Sequence, residues 1–473
     1  GFRSNTPSML ARGLLIGLSA ALACSPSRTN VVQTSLGPIQ GYVRCDGSRG
    51  SVEVFEGIPF AAPPVGENRF RAPQPPSTWT ELKDTVKVKP ACPQIRLFGD
   101  VMYGDEDCLY LNIYKPAHAN ESSSLPVFFW IFGGGYTLGD GSEFTIYDGT
   151  NLAATHDYIV VTFNYRLNIL GFLALPELKQ EDPDNSTGNY ALQDQRQALQ
   201  FVRDNIRTFG GDPERITIAG ESAGGFSVMW HLVSEQSKGM FSSAIMQAGT
   251  NQVEWWFQPE DRAFNFYENT SSILDCKDPQ SRLECLRKIP VEQLLIPISQ
   301  WLTDALGRNN PSLPIPKTVP AYGSDLFPVM PYAPTIDNSP AGLQGTPIEL
   351  VRKGQKANVP LLLGANKNSG NLLLEGLLPF MVPGTMNPPG NETLYRATYW
   401  FVGDKSRELR DLYSAEEYKS AGIMSYYQRI ADSLRDCMFR CSDRRLAREW
   451  VKSKLPTYMY TFSFDLGPID HLL

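Results

Sequence analysis

The chain has 473 residues, 42% of them hydrophobic and 20% charged, which is length and apolar content enough for a large packed core. Its 43 Lys and Arg stand against 50 Asp and Glu, a formal charge of -7, and no long basic run occurs, which argues against a nucleic-acid partner.

Residues 9–23 read MLARGLLIGLSAALA. An Arg precedes an apolar stretch, and Ala21-Leu22-Ala23 closes it with an A-x-A pattern, so residues 1–23 are expected to be a secretory signal with Met9 as a candidate start. The apolar part is too short to span a bilayer, and no later segment reads as a span. The export signal predicts a secreted, extracellular protein. Four N-x-Ser/Thr triplets fit that expectation as glycosylation sites, at Asn120, Asn185, Asn269 and Asn391. Eight cysteines in an exported chain predict disulfides.

Residues 31–43, VVQTSLGPIQGYV, alternate about Gly and Pro and predict a short hairpin. Residues 57–76 are rich in proline and predict an extended surface stretch. Strands and helices then alternate. VFFWIF (127–132), IVVTFNY (159–165) and RITIAG (215–220) are β-rich apolar runs, and YALQDQRQALQFVRDNI (190–206) is an amphipathic helix stopped by Gly210-Gly211. SAGGFSVMWHLV reads as a helix directly after the third strand, and VPLLL (359–363) as a later buried strand. The alternation predicts a mainly parallel, twisted sheet with helices on both faces. No linker interrupts it, so residues 30–473 are expected to form a single domain. Residues 291–345 are Pro-rich and predict loops and short helices.

The sharpest chemical signal is Gly220-Glu221-Ser222-Ala223-Gly224, a G-x-S-x-G placed between a strand and a helix. That context lifts a serine Oγ to the carboxyl edge of a sheet as a nucleophile. A plain glycine-rich turn with a capping serine is the alternative. Phe132-Gly133-Gly134-Gly135 follows another strand, and its backbone N–H groups are free to approach a substrate oxygen.

Residues 209–224, FGGDPERITIAGESAG, together with EDCLYLN (106–112), GIPFAAPPVGENRFRAP, FNYRLN and LQDQRQALQFV, resemble the type-B carboxylesterase family from about residue 32 onward. The resemblance implies an α/β-hydrolase fold and a hydrolase of carboxylic esters, acting on small-molecule or lipid esters without metal or cofactor. By it, Gly134, Gly135 and Ala223 supply the oxyanion hole. It also implies disulfides Cys92–Cys108 and Cys276–Cys285, and ion pairs Arg69–Glu106 and Arg166–Asp194, so that the run Asp105-Glu106-Asp107 is structural. Cys45, Cys437 and Cys441 are left over as an odd set.

The order of an α/β-hydrolase triad is Ser, acid, His. Of four histidines, His118 and His156 precede Ser222, and His231 stands nine residues along the same helix, roughly 13 Å away, as a packing residue. His471 remains, and YMYTFSFDLGPIDHLL resembles the family's strand and loop at this point. The family continues well past its histidine, whereas only Leu472 and Leu473 follow here, so a C-terminally truncated version of the fold is expected. The acid is the larger departure. GANKNSGN (364–371) resembles G-x-N-x-D-E-G, which puts Ser369 at the acid position and Asn368 at its neighbour. Glu375 would need a local slip to substitute. An impaired esterase is therefore expected, with a non-catalytic, esterase-like binding or adhesion protein as the rival. The 92–108 loop lacks the tryptophan that stacks a quaternary ammonium in cholinesterases and is short for a lipase lid. Trp255 and Trp256 are candidates for a wall of the acyl pocket, with a plain core role as the alternative.

Overall fold

The computed structural model describes residues 27–45, 50–95, 102–142, 146–250, 257–295, 332–371, 408, 411–414, 416–419 and 425–463. The apolar runs come together in one nine-stranded sheet. Its strands are β1 (Tyr42–Cys45), β2 (Ser51–Pro59), β3 (Tyr110–Pro116), β4 (Leu125–Ile131), β5 (Ile159–Phe163), β6 (Gly211–Glu221), β7 (Ser243–Gln247), β8 (Leu361–Asn366) and β9 (Thr457–Phe462). Across the sheet the order is β9-β8-β7-β6-β4-β5-β3-β2-β1. From β5 to β9 every neighbouring pair is parallel, and β3, β2 and β1 continue antiparallel. This is the α/β-hydrolase architecture.

Both faces of the sheet are covered, and the strands show it residue by residue. Successive side chains of a strand point to opposite faces. Val54, Tyr114 and Val160 gather with Ala153 of helix α1 (Thr150–His156) in one cluster. Their neighbours Phe55, Ile113 and Val161 belong to the main core on the other side. That core takes Leu192, Leu199 and Val202 from α2 (Tyr190–Asn205), Phe226, Met229 and Trp230 from α3 (Ala223–Val233), and Trp450 from the helix Cys441–Val451. Strand β5, parallel to β4 and antiparallel to β3, is buried along its whole length in the middle of the covered sheet.

The hairpin is present, with Val32 opposite Ile39. The proline-rich stretch departs from expectation. Its first residues extend β2, and Phe60 and Phe70 are 0% and 1% exposed, so the segment is pinned into the core rather than laid over the surface. Proline content reports the missing N–H donors but not where the intervening aromatics go. Of residues 291–345, a short helix Val291–Leu294 and a two-residue strand at Thr335–Ile336 are described.

Cys92–Cys108 and Cys276–Cys285 are bonded, with Cα atoms 5.0 and 5.7 Å apart. Cys45 is disulfide-bonded too, which corrects its place among the left-over cysteines. Cys437 and Cys441 are free thiols. Replacing Cys276 and Cys285 by Ser should cost roughly 2–3 kcal/mol, since the bond closes a short loop of the unfolded chain. Urea unfolding checks this, and an unchanged midpoint would refute it.

Both ion pairs form. Arg69 Nε donates to Glu106 Oε2 at 2.8 Å. Asp107 Oδ1 accepts from Tyr110, and Asp105 Oδ1 from the Asp107 N–H, so the acidic run is used in structure. Arg166 grips Asp194 with Nε and a second guanidinium nitrogen, at 2.7 and 2.6 Å. Among the described residues no helix is long and apolar enough to cross a membrane.

Candidate active site

Ser222 stands between β6 and α3 with φ 52° and ψ -121°, a backbone conformation costly for a residue with a Cβ. The chain tolerates it because the turn is clamped on both sides. The Ser222 N–H donates to Gln247 O of β7 at 2.8 Å, and its carbonyl accepts the Phe226 N–H at 3.0 Å. The flanking glycines are needed for close approach. A Cβ on Gly220 would lie 2.4 Å from Gly224 O, and one on Gly224 would lie 2.1 Å from Ile131 O. The sequence motif thus folds as a sharp elbow at the carboxyl edge of the sheet.

The glycine run follows β4, the strand beside β6. Gly134, Gly135 and Tyr136 are all left-handed, with φ of 98°, 63° and 58°. A Cβ on Gly133 would sit 3.1 Å from Ser222 Cβ, so the run abuts the serine. The N–H groups of Gly134, Gly135 and Ala223 donate to no partner among the described residues. Stabilising a developing oxyanion calls for backbone donors that are not spent elsewhere.

His471 lies outside the described residues, as do Glu375, Trp255, Trp256, Asn391 and residues 1–23. His118 pairs with Asp157 at the surface, 3.4 Å away. His231 is buried as expected, and both ring nitrogens are hydrogen-bonded, to Ser237 Oγ at 3.0 Å and Gln195 Oε1 at 3.1 Å. Burial, and secondarily the Arg196 charge, push its pKa down to about 3, so it stays neutral.

Ser369 opens a helical turn just after β8 and is half-buried. Its hydroxyl donates to Asn366 O at 3.1 Å, which leaves its lone pairs free. The turn is fixed from below. Arg435 of the helix Ser425–Arg435 donates to Lys367 O at 3.2 Å, and a Cβ on Gly370 would lie 1.8 Å from Ala431 O. Asn368 is exposed.

Two carboxyls near the elbow escape the sequence. Glu221 lies beside Gly133, whose added Cβ would come 2.9 Å from Glu221 Oε2. Burial raises its pKa to about 7. It occupies the variable position of the motif, so the cue was available: a carboxylate at the end of an apolar strand. Asp443 is 2% exposed, accepts from the Thr250 hydroxyl, and is pushed by burial to about 6. Thr250 and Asp443 are 193 residues apart in the chain, and no local pattern announces the pair. Tyr460 feels both carboxyl charges. The Glu221 shift has a sign that can be tested. The folded state holds this proton up to about pH 7 while the unfolded chain releases it near 4.5, so the group draws stability down as pH rises between those values. Glu221→Gln should flatten that part of the stability–pH curve. A variant that loses stability with pH as steeply as the parent would count against it.

The carboxylesterase family model matches residues 28–466. Carboxylesterase 1D of Rattus norvegicus is 32% identical over 462 residues, covering 93% of this chain and 76% of the relative. The para-nitrobenzyl esterase of Bacillus subtilis (strain 168) is 34% identical over 389 residues, 81% of this chain and 70% of its own. Among solved structures, the Geobacillus stearothermophilus carboxylesterase superposes with a TM-score of 0.73 at 31% identity, over 92% of this chain and 80% of that one.

Proposed function

The chain belongs to the carboxylesterase family of ester hydrolases, and on that premise we propose that it hydrolyses small-molecule or lipid carboxylic esters through an acyl-enzyme on Ser222, weakly because its acid position holds Ser369. The observation that carries the reading is the strained elbow at Ser222, abutted by the glycine run, with the Gly134, Gly135 and Ala223 N–H groups unspent among the described residues. A binding surface has no use for a serine held at φ 52°, and strain of this kind persists where chemistry needs it.

Ser222 Oγ attacks the ester carbonyl, and the N–H groups of Gly134, Gly135 and Ala223 receive the oxyanion. His471 takes the serine proton and passes it to the leaving alcohol; water then releases the acid from the acyl-enzyme. Ser369 can accept the imidazole Nδ1–H but brings no charge to steady the imidazolium. Residues 30–473 act as one domain, for which the sheet drawing strands from Tyr42 to Phe462 is the support. Secretion after removal of residues 1–23 is supported by disulfides at Cys45, Cys92–Cys108 and Cys276–Cys285. Asn120, Asn185 and Asn269 are exposed, as carriers of glycans must be.

A fluorophosphonate probe tests the reading. It should label the protein covalently, and Ser222→Ala should not be labelled. A folded parent protein that takes no label would favour the binding or adhesion alternative, which the neutral acid position supports.

A further inference from the structure

The glycine run contains a residue that has no reason to be left-handed. Gly134 and Gly135 adopt positive φ without cost, but Tyr136 follows at φ 58° and carries a Cβ. Something must hold it. Tyr136 is fully buried, its ring sits 4.8 Å from that of Phe172, and its carbonyl accepts the Asn168 N–H at 2.8 Å. Its hydroxyl reaches across to Ser227 Oγ of α3, 3.3 Å away.

Ser227 is the hub of a buried chain. Its hydroxyl donates to Ala223 O, one turn earlier, at 3.1 Å. Its lone pairs accept from Tyr136 and from Gln195 Nε2, the latter at 3.0 Å. Because Gln195 turns its nitrogen to Ser227, its oxygen faces His231, which must therefore donate from Nε2 and accept from Ser237 at Nδ1. A neutral imidazole does both at once, and His231 is held neutral by burial. Gln195, Ser227 and Ser237 are 0% exposed, so water does not compete for these bonds. Every polar group in the chain has one role, and reversing any one of them leaves a buried donor or acceptor unmatched.

We propose that Tyr136, Ser227, Gln195 and His231 form a positioning network that bolts the Gly134–Gly135 backbone to the helix carrying Ala223, and so sets the spacing between the two halves of the oxyanion hole. The proposal rests on the ester-hydrolase reading for its consequence in rate, but not for its geometry. None of the four touches substrate. Among the described residues the Tyr136 hydroxyl makes the one hydrogen bond that joins the run to α3 side chain to side chain, and Gln195 with His231 fixes the rotor that receives it.

Tyr136→Phe, Ser227→Ala and the double variant test it in the full chain. Removal of either hydroxyl should slow covalent labelling of Ser222 by the fluorophosphonate about tenfold, with the probe's binding constant unchanged, and the double variant should lose no more than the worse single one. A purely structural role would lower the melting temperature and leave the labelling rate alone, and that result would overturn the proposal. His231→Gln, which can still accept and donate, should keep most of the parent rate, whereas His231→Leu should not. A crystal structure of Tyr136→Phe gives a readout independent of chemistry. Displacement of the Gly134–Tyr136 backbone from α3 supports the network, and an unmoved backbone refutes it. If the parent itself takes no label, the ester-hydrolase reading falls, and the backbone position still decides the network.

Discussion

Ser369→Glu should raise kcat/KM on a short-chain aryl ester by up to about 10⁴, the factor lost when the acid of a serine protease triad is made neutral. The substitution asks little of the fold. Ser369 is half-buried and its side chain makes one hydrogen bond among the described residues, to Asn366 O, of modest net value. The turn that presents it is anchored independently, by Arg435 on Lys367 O and by the close seat of Gly370 on Ala431. On the proposed assignment, a glutamate there would supply the charge that orients and steadies the His471 imidazole. Two outcomes separate causes. A large rise means that His471 already reaches Ser222 and that charge was limiting. No rise means that charge at this position is not what limits the reaction. High activity in the unaltered chain, abolished by Ser222→Ala, would show that another carboxylate serves. Glu375→Gln would then be the next variant to make.

The sequence carried the fold where local pattern and tertiary demand coincide. The strands at 127–132, 159–165 and 215–220 are apolar because they lie in the middle of a sheet covered on both faces, so their composition alone marks them. The elbow was legible for the same reason, since a Cβ on Gly220 or Gly224 would come within 2.1–2.4 Å of a backbone oxygen, which admits no other residue. What stayed hidden depends on partners far along the chain. Phe60 and Phe70 look like loop residues until the core that receives them is known. His231 reads as packing because a lone histidine in an apolar helix carries no mark of the Gln195 that faces it 36 residues earlier. Asp443 looks like a helix-surface carboxylate, and only the fold buries it against Thr250.

Asp194→Ala should destabilise the protein by about 3–5 kcal/mol, because it leaves the Arg166 guanidinium buried without its counter-charge. Arg166 is 2% exposed and Asp194 0%, and the carboxylate also accepts the Arg166 backbone N–H at 3.1 Å. Arg166 spends another donor on Arg71 O, at 2.8 Å, which holds the guanidinium in place. Urea unfolding of the single variant checks the size of the loss. The double change Arg166→Met with Asp194→Leu is the informative companion, since removing both charges should recover most of the stability. Activity should not recover with it. Arg166 and Asp194 tie α2, which carries Gln195, to the segment that runs on to Asn168, and Asn168 holds the Tyr136 carbonyl at 2.8 Å. Apolar side chains of similar volume can refill the space but cannot fix that register to a few tenths of an ångström. A double variant that regains stability while remaining slow toward the fluorophosphonate would show that the pair serves the geometry of the site, and one that regains both would show that it serves the fold alone.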